Sequence, residues 1–169
     1  MGAMHWFGTR TPPLQAPTAR RVVYTSRLRQ RMDRDLLLRC RASFATTNAL
    51  LGITGILVHL GDHFVQVLVA EAPVMTGLLR RISVDYRHTD FRLLLDDEIT
   101  ARAFTASSMS LLDLDADPPL SREDASGLRG FLTQSLQRGS EMRDDLRQLL
   151  RVTPRLLKRY PQILTPATT

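Results

Sequence analysis

Three polar side chains lie where the sequence otherwise predicts an apolar interior, and these could do chemistry. Gln66 and Tyr24 each lie within a short apolar run, and Asn48 lies near the end of a helix-like segment. A buried amide without a hydrogen-bond partner costs about 1–3 kcal/mol, and a buried tyrosine hydroxyl also needs a partner. The three groups either form one polar cluster or are satisfied separately by the backbone. Composition alone favours the second interpretation.

A β-hairpin is the most specific local prediction, and its second strand carries Gln66. Two apolar runs, 53–60 and 63–69, flank Gly61-Asp62, and a glycine at the first central position is what a type II′ turn requires. Side chains alternate between the two faces of a strand. One face therefore carries Leu57, His59, Phe64, Gln66 and Leu68, and the other carries Ile56, Val58, Leu60, Val65, Val67 and Val69. The second face is wholly apolar, so another part of the chain should cover it.

The remaining elements predict an α+β plan with a ferredoxin-like core. Strands are predicted at 21–26, 91–95 and 103–111, around a helix that Asp33 caps and Gly52 ends and a second helix that Pro73 opens. The order is β1α1β2β3α2β4β5, and both helices should lie on one face of a five-stranded sheet.

The sequence after residue 112 predicts helices that can cover the apolar face of the hairpin. Ser121 can cap a helix whose apolar stripe runs from Leu128 to Leu136 and which Gly139 stops. A second helix follows from Ser140, and Thr153-Pro154 begins a short third. We expect these helices to pack on the far face of the sheet. The alternative is that they bind a partner or a second copy of the chain.

Length and composition are typical of one domain with short extensions. The chain has 169 residues, of which 43% are hydrophobic, and no apolar run is long enough to span a membrane. We divide it into a flexible arm with tag-like residues at 1–19, a domain at 20–112 and a helical extension at 113–169. The single cysteine, Cys40, excludes an internal disulfide and is predicted to be a buried small hydrophobe. With no export signal, the expected location is the cytoplasm.

Charge and motifs exclude several classes of function. The net charge is +6 and almost all of the positive charge is arginine. No aromatic residues are interleaved with the clustered arginines at 27–34 to stack on bases, which favours solvated helix faces over nucleic-acid binding. A phosphate loop, a dinucleotide fingerprint, a paired-histidine metal motif and a serine nucleophile elbow are all missing from the sequence. The residues alone therefore indicate an α+β sensor or binding domain.

Five segments together resemble the BLUF family, the sensors of blue light using FAD, over about residues 20–112. They are Arg21–Ser26 with its tyrosine and serine, Asn48–Gly55 with its Gly-Ile-Thr-Gly turn, the Phe-x-Gln-x-Leu of Phe64–Leu68, Arg87–Asp90, and Phe104 with Met109. They occur in the family's order and at compatible spacing.

The resemblance implies noncovalently bound FAD between the two helices. The implied flavin-binding residues are Tyr24, Ser26, Asn48, Gln66, Arg87, His88 and Met109. Asn48 would hold the polar edge of the ring, and Gln66 would bridge Tyr24 and the flavin. Arg87 and His88 would lie near its outer part, although His88 is equally consistent with an ordinary surface histidine.

The mechanism implied by the resemblance is photochemical and leaves no covalent adduct. Tyr24 transfers an electron and a proton that later return, and the amide of Gln66 ends rotated or tautomerised. Absorption shifts to the red and recovers in the dark. Met109 would pass the change to the C-terminal helices.

The chain departs from the family pattern at three places. Ser107 replaces a common tryptophan, Val69-Ala70 replaces a common Glu-Gly pair, and Phe44 stands where smaller or polar residues are common. These positions bear on flavin loading and on signal transfer, while the photochemical residues are retained.

Three functions remain open at this stage. The first is a non-enzymatic blue-light receptor that acts on a separate protein or through homo-oligomerisation, since the segment after residue 112 is too short for an attached enzyme domain. The second is a BLUF-like interaction module that has lost flavin binding. The third is a small enzyme, but no nucleophile, base and oxyanion donor stand at credible spacing.

Overall fold

Local sequence signals begin and end the helices as predicted. The Asp33 carboxylate accepts a hydrogen bond of 2.7 Å from a backbone N–H in the first turn of its helix. Gly52, with φ of 64°, follows that helix in the left-handed conformation that favours glycine. Pro73 lies in the first turn of the second helix. Ser121 Oγ accepts from a first-turn N–H of the third helix at 3.1 Å.

A computed structural model describes residues 19–99, 109–116, 118, 120–138, 155 and 158–161. Its elements are β1 (Ala19–Leu28), α1 (Arg34–Leu50), β2 (Thr54–Leu60), β3 (His63–Glu71), α2 (Ala72–Ser83), β4 (His88–Ile99), β5 (Ser110–Asp113) and α3 (Arg122–Arg138). The strands form one mixed sheet in the order β4-β1-β3-β2-β5, in which β2 and β5 are parallel and the other neighbours are antiparallel. The predicted α+β plan is confirmed.

Apolar clusters cover both faces of the sheet. On the helix side, α1 and α2 pack over Val22, Leu57 and Leu68. On the far side, Leu128 and Leu132 of α3 pack over the sheet. Four members of the predicted apolar hairpin face, Ile56, Val58, Val65 and Val67, belong to that far-side cluster. The expectation that a C-terminal helix covers this face is therefore confirmed for α3.

The hairpin has the predicted turn. Gly61 has φ of 64°, whereas Asp62 does not have positive φ, which fits type II′ and excludes type I′. A second glycine, Gly55, is required by close approach, because a Cβ there would overlap the carbonyl oxygen of Val67 on β3.

Four strands extend beyond their predicted ends, and one of them is β3, which runs to Glu71 rather than Val69. β1 runs from 19 to 28 rather than 21 to 26, so Ala19 belongs to the sheet and not to the arm. β4 runs from 88 to 99 rather than 91 to 95. β5 ends at Asp113 rather than Leu111, one residue past the predicted domain boundary. The residues at these strand ends do not show the apolar alternation that predicts a strand. They are held in the sheet by cross-strand ion pairs or by backbone hydrogen bonds instead.

The acidic end of β4 illustrates the physical reason. Asp96 accepts a 2.6 Å hydrogen bond from Arg20 Nε, and Asp97 accepts one of 3.0 Å from Arg21 Nε. The β1–β4 pairing also shifts register twice, and Asp90 adopts φ of 51°, a conformation that aspartate tolerates better than most residues. These irregularities interrupt the alternation on which the prediction relied.

Several predictions lie outside the described residues. They concern the arm at 1–18, the first part of the predicted last strand with Phe104 and Ser107, the stop at Gly139, and the start of the helices predicted from Ser140 and Thr153.

We expect Leu132→Ala to lower the free energy of unfolding by about 2–5 kcal/mol, because it would leave a cavity between α3 and the sheet. The Leu132 side chain is 2% exposed and belongs to the far-side cluster. Chemical denaturation measures the loss. Leu50→Ala is the matched control, since Leu50 is 83% exposed and should change stability by no more than about 0.5 kcal/mol. Equal effects in the two variants would contradict the packing of α3 on the sheet.

Candidate functional site

A cavity of about 350 Å³ lies between α1, α2 and the helix-side face of the sheet. Its apolar walls include Leu37, Phe44, Leu57, Leu68 and Ile82. Small-molecule sites are typically about 300–1,000 Å³, mostly apolar, with a few polar groups that orient the ligand. The cavity has this character.

Tyr24 and Gln66 form a buried pair on the cavity wall. They are opposite each other in the β1–β3 register, and their exposed fractions are 5% and 6%. The Tyr24 hydroxyl donates a hydrogen bond to Gln66 Oε1. Burial raises the pKa of Tyr24 above its ordinary value, and the charge of Asp85 adds to that effect, so the hydroxyl keeps its proton at neutral pH. The aromatic ring is further held by Phe91, with centroids 5.0 Å apart.

Met109 completes the surroundings of the Gln66 amide. Gln66 Nε2 donates to Met109 Sδ at 3.2 Å, and Met109 is 2% exposed. The backbone oxygen of Met109 accepts from Arg41 Nε of α1 at 3.3 Å. Tyr24 and Gln66 therefore satisfy each other through their side chains. For Tyr24 and Gln66 this favours a shared polar cluster over separate groups satisfied by the backbone.

Two further polar side chains line the same cavity. Asn48 is 5% exposed and is placed by the last turn of α1, just before Gly52 turns the chain into β2. Ser26 is 1% exposed and lies on the same face of β1 as Tyr24, two residues along. Hydroxyl and carboxamide groups thus approach the cavity from both α1 and β1.

Ionisable side chains, among them an ion pair, line another part of the cavity. Asp85 and Arg87 form a bidentate pair, in which Arg87 Nε donates to Oδ1 at 2.9 Å and Nη2 donates to Oδ2 at 2.5 Å. The hydrogen bonds from Arg87 lower the pKa of Asp85 from its ordinary 3.8 to about 2. The Arg87 guanidinium lies 5.5 Å from the centroid of the Phe44 ring. His88, also on the wall, is half-buried, and burial lowers its pKa.

These residues fit a flavin. Apolar walls suit the faces of an aromatic ring system, and the carboxamides of Asn48 and Gln66 offer both donors and acceptors to its polar edge. Arg81 and Arg87 line the cavity with guanidinium groups of the kind that bind phosphate, and the charge of Arg87 is already paired with Asp85.

All of the predicted site residues lie on the wall of this one cavity: Tyr24, Ser26, Asn48, Gln66, Arg87, His88 and Met109. His88 is half-buried on this wall. Cys40 is a correction, because it is half-buried on the cavity wall rather than part of the core.

Sequence reasoning missed Asp85 and Arg81. Asp85 precedes Arg87 by two residues just after α2, a spacing that allows a local ion pair, and this was an available signal. Arg81 lies in the last turn of α2, where a basic residue is explained equally well by the helix dipole.

The Asp85–Arg87 pair predicts a specific acid sensitivity. The pKa of Asp85 is depressed to about 2, so its stabilising effect is present above about pH 4 and is lost as pH falls through about 2. We expect Asp85→Asn to flatten the decline of the unfolding free energy within that window, measured by denaturation at stepped pH. Glu98→Gln, which removes an exposed carboxylate on β4, is the control for the loss of a negative charge. An unchanged slope in Asp85→Asn would contradict the prediction.

Among the helices of the described part of the chain, none is both long and apolar enough to cross a membrane.

Comparison with known proteins gives a family match and several structural neighbours. The family model for BLUF, sensors of blue-light using FAD, matches residues 20–110, which is more than half of the chain. The dark-state structure of BlrB, described as a BLUF protein, is 27% identical with a TM-score of 0.63, covering 82% of this chain and 98% of that one. A search of curated proteins found no match.

Two further neighbours are much longer proteins. A bacterial light-regulated adenylyl cyclase is 28% identical with a TM-score of 0.62, covering 70% of this chain and 34% of that one. Klebsiella pneumoniae BlrP1, solved with FMN and cyclic diGMP, is 31% identical with a TM-score of 0.54, covering 57% of this chain and 26% of that one. The chain thus spans about a third or less of the length of these two neighbours.

Proposed function

This chain belongs to the BLUF family of blue-light sensors using FAD, and from that premise we propose that it is a photoreceptor that binds FAD noncovalently and signals through its C-terminal helices. The observation that carries the proposal is the Tyr24–Gln66–Met109 hydrogen-bond chain on the wall of a cavity of about 350 Å³. That volume is at the lower end of small-molecule sites, which suits the ring system inside and the rest of the dinucleotide beyond it.

Bound flavin would supply blue-light absorption and, while excited, an electron acceptor. Tyr24 is suited to give up an electron together with its hydroxyl proton, since Gln66 Oε1 already accepts that proton's hydrogen bond. Both would then return to Tyr24, so that the protein would undergo no net oxidation. Asn48 and Ser26 would hold and orient the ring, and Arg81, Arg87 and His88 would bind the part of the cofactor outside it.

Gln66 is the switching residue in this proposal, because a carboxamide can exchange its donor and acceptor ends. A half-turn of the amide would bring Nε2 towards the Tyr24 oxygen and leave Oε1 beside Met109 Sδ, which has no hydrogen to donate. A tautomerised amide would also change which group donates. The rotated arrangement leaves Met109 Sδ without its donor, so it should relax in the dark.

The route to the output would run through β3 and β5. Val65 and Val67, the neighbours of Gln66 in β3, point to the far face and belong to the cluster that contains Leu128 and Leu132 of α3. A change in the strand at Gln66 therefore alters the surface on which α3 packs. We propose that the readout is contact with a separate protein or self-association, and not catalysis by this chain.

The test is an absorption spectrum of the purified protein in the dark, after blue light and during recovery. We expect a flavin spectrum that shifts to the red and returns. Chromatography of the released cofactor separates FAD from FMN, which is the flavin in the BlrP1 structure. A flavin spectrum that does not shift would contradict the photoreceptor, and FMN as the bound species would correct the cofactor.

A light-independent interaction module is the second candidate, and one observation favours it. Arg87 already pairs with Asp85 and stacks on Phe44, both of which line the cavity, so a bound cofactor would have to compete with these contacts. A colourless protein that also fails to take up added FAD would favour this alternative.

A further inference from the structure

A second polar cluster lies at the end of β2 and β5, away from Gln66. His59, Asp113 and Asp115 place one nitrogen and two carboxylate oxygens within 4.8 Å of one another. His59 Nδ1 lies 2.9 Å from Asp113 Oδ1, and the two side chains are 7% and 15% exposed. Neither His59 nor Asp113 lines the flavin cavity, although the His59 ring packs against Phe64, which does.

The cluster fastens the end of β5 to the hairpin. The backbone N–H of Leu114 donates to His59 O at 2.9 Å, and the N–H of Gly61 in the hairpin turn donates to Asp115 Oδ2 at 2.6 Å. Asp113 Oδ1 also accepts from the N–H of Asp115 at 3.2 Å. Side-chain and backbone bonds thus hold one end of the strand.

β5 is a short edge strand that also packs on the far-side cluster through Leu112, which is 2% exposed. It is four residues long, lies at the edge of the sheet, and pairs in the described part of the chain with β2 alone. At its opposite end it is preceded by Met109, whose Sδ accepts from Gln66 and whose backbone oxygen accepts from Arg41. The same short strand therefore carries the Gln66 contact at one end and the Asp113 contact at the other.

We propose that His59 and Asp113 are positioning residues, which hold β5 so that Met109 stays in register with the Gln66 amide and thereby set the rate of dark recovery. The inference rests on the proposed photocycle and adds residues outside the flavin cavity to it. Recovery requires Met109 Sδ to lie beside Gln66 Nε2 again. A strand released at Asp113 must first be reordered, which slows the return.

The experiment measures dark recovery after blue light in flavin-loaded protein. Asp113→Leu removes the acceptor at similar volume, and His59→Phe removes both ring nitrogens while keeping an aromatic ring against Phe64, whose centroid is 5.3 Å away. We expect either variant to recover about threefold more slowly or worse, in line with the sensitivity of reaction rates to small misplacements. The dark spectrum and the size of the red shift should be unchanged. Asp113→Asn, which can still accept from His59 Nδ1, should restore most of the rate.

The matched control is Asp97→Leu. It removes a part-buried ion pair with Arg21 between β1 and β4, at the other edge of the sheet. We expect it to destabilise the protein without changing recovery. Wild-type recovery in both Asp113→Leu and His59→Phe would overturn the proposal, and so would equal slowing in Asp97→Leu. If one variant does not fold, the other decides. A wild type that binds flavin but shows no red shift would instead overturn the proposed function, and this inference with it.

Discussion

Gln66→Leu is expected to abolish the reversible red shift while flavin remains bound. Leucine keeps similar bulk on the cavity wall but removes both the acceptor for the Tyr24 hydroxyl and the donor to Met109 Sδ. Without an amide, no group at this position can exchange donor and acceptor roles. Difference absorption between dark and illuminated samples measures the effect, and the ratio of flavin to protein confirms loading.

The same substitution should also cost stability. Tyr24 is 5% exposed, and losing its partner would leave a buried hydroxyl unsatisfied, at about 1–3 kcal/mol. Gln30→Leu, at an exposed glutamine after β1, is the matched control and should leave the photocycle intact. A normal red shift in Gln66→Leu would refute the switching role of the amide, whatever the stability.

Sequence reasoning located the cavity residues because their elements are specified by short-range signals. Gly61-Asp62 determines the register of β2 against β3, and the register determines that Gln66 shares a face with Leu57 and Leu68. Asp33 and Gly52 determine where α1 begins and ends, and this places Asn48 in its last turn, where the side chain is buried. The resemblance then selected among the polar residues, since periodicity alone could not assign them a common purpose.

The contacts that sequence reasoning could not supply are those between distant strands. The β1–β4 pairing contains two register shifts. Arg20 and Arg21 hold one end of this pairing through ion pairs with acidic residues of β4, and that acidic stretch reads as a loop in the sequence. The His59–Asp113 pair joins residues far apart in the chain, and neither belongs to a motif. Such pairings depend on how the sheet is assembled rather than on any local pattern.

Tyr24→Phe is the second substitution expected to abolish the photocycle. It removes one oxygen and retains the ring that packs 5.0 Å from Phe91, so the walls of the cavity should be preserved. Burial raises the pKa of Tyr24, which keeps the hydroxyl protonated and able to donate to Gln66 Oε1. Phenylalanine has no such proton and is a much poorer electron donor. We therefore expect flavin binding without a red shift.

Tyr86→Phe separates this effect from the loss of a tyrosine hydroxyl in general. Tyr86 directly precedes Arg87, which lines the cavity, but the Tyr86 side chain is itself 82% exposed. It should bind flavin and complete the photocycle at the wild-type rate. A full photocycle in Tyr24→Phe would mean that the proton and electron come from elsewhere, and the Tyr24–Gln66 hydrogen bond would then be structural. Loss of the red shift in Tyr24→Phe together with its loss in Gln66→Leu, at full flavin loading in both, would make the two residues one functional unit, because each supplies the other's hydrogen-bond partner.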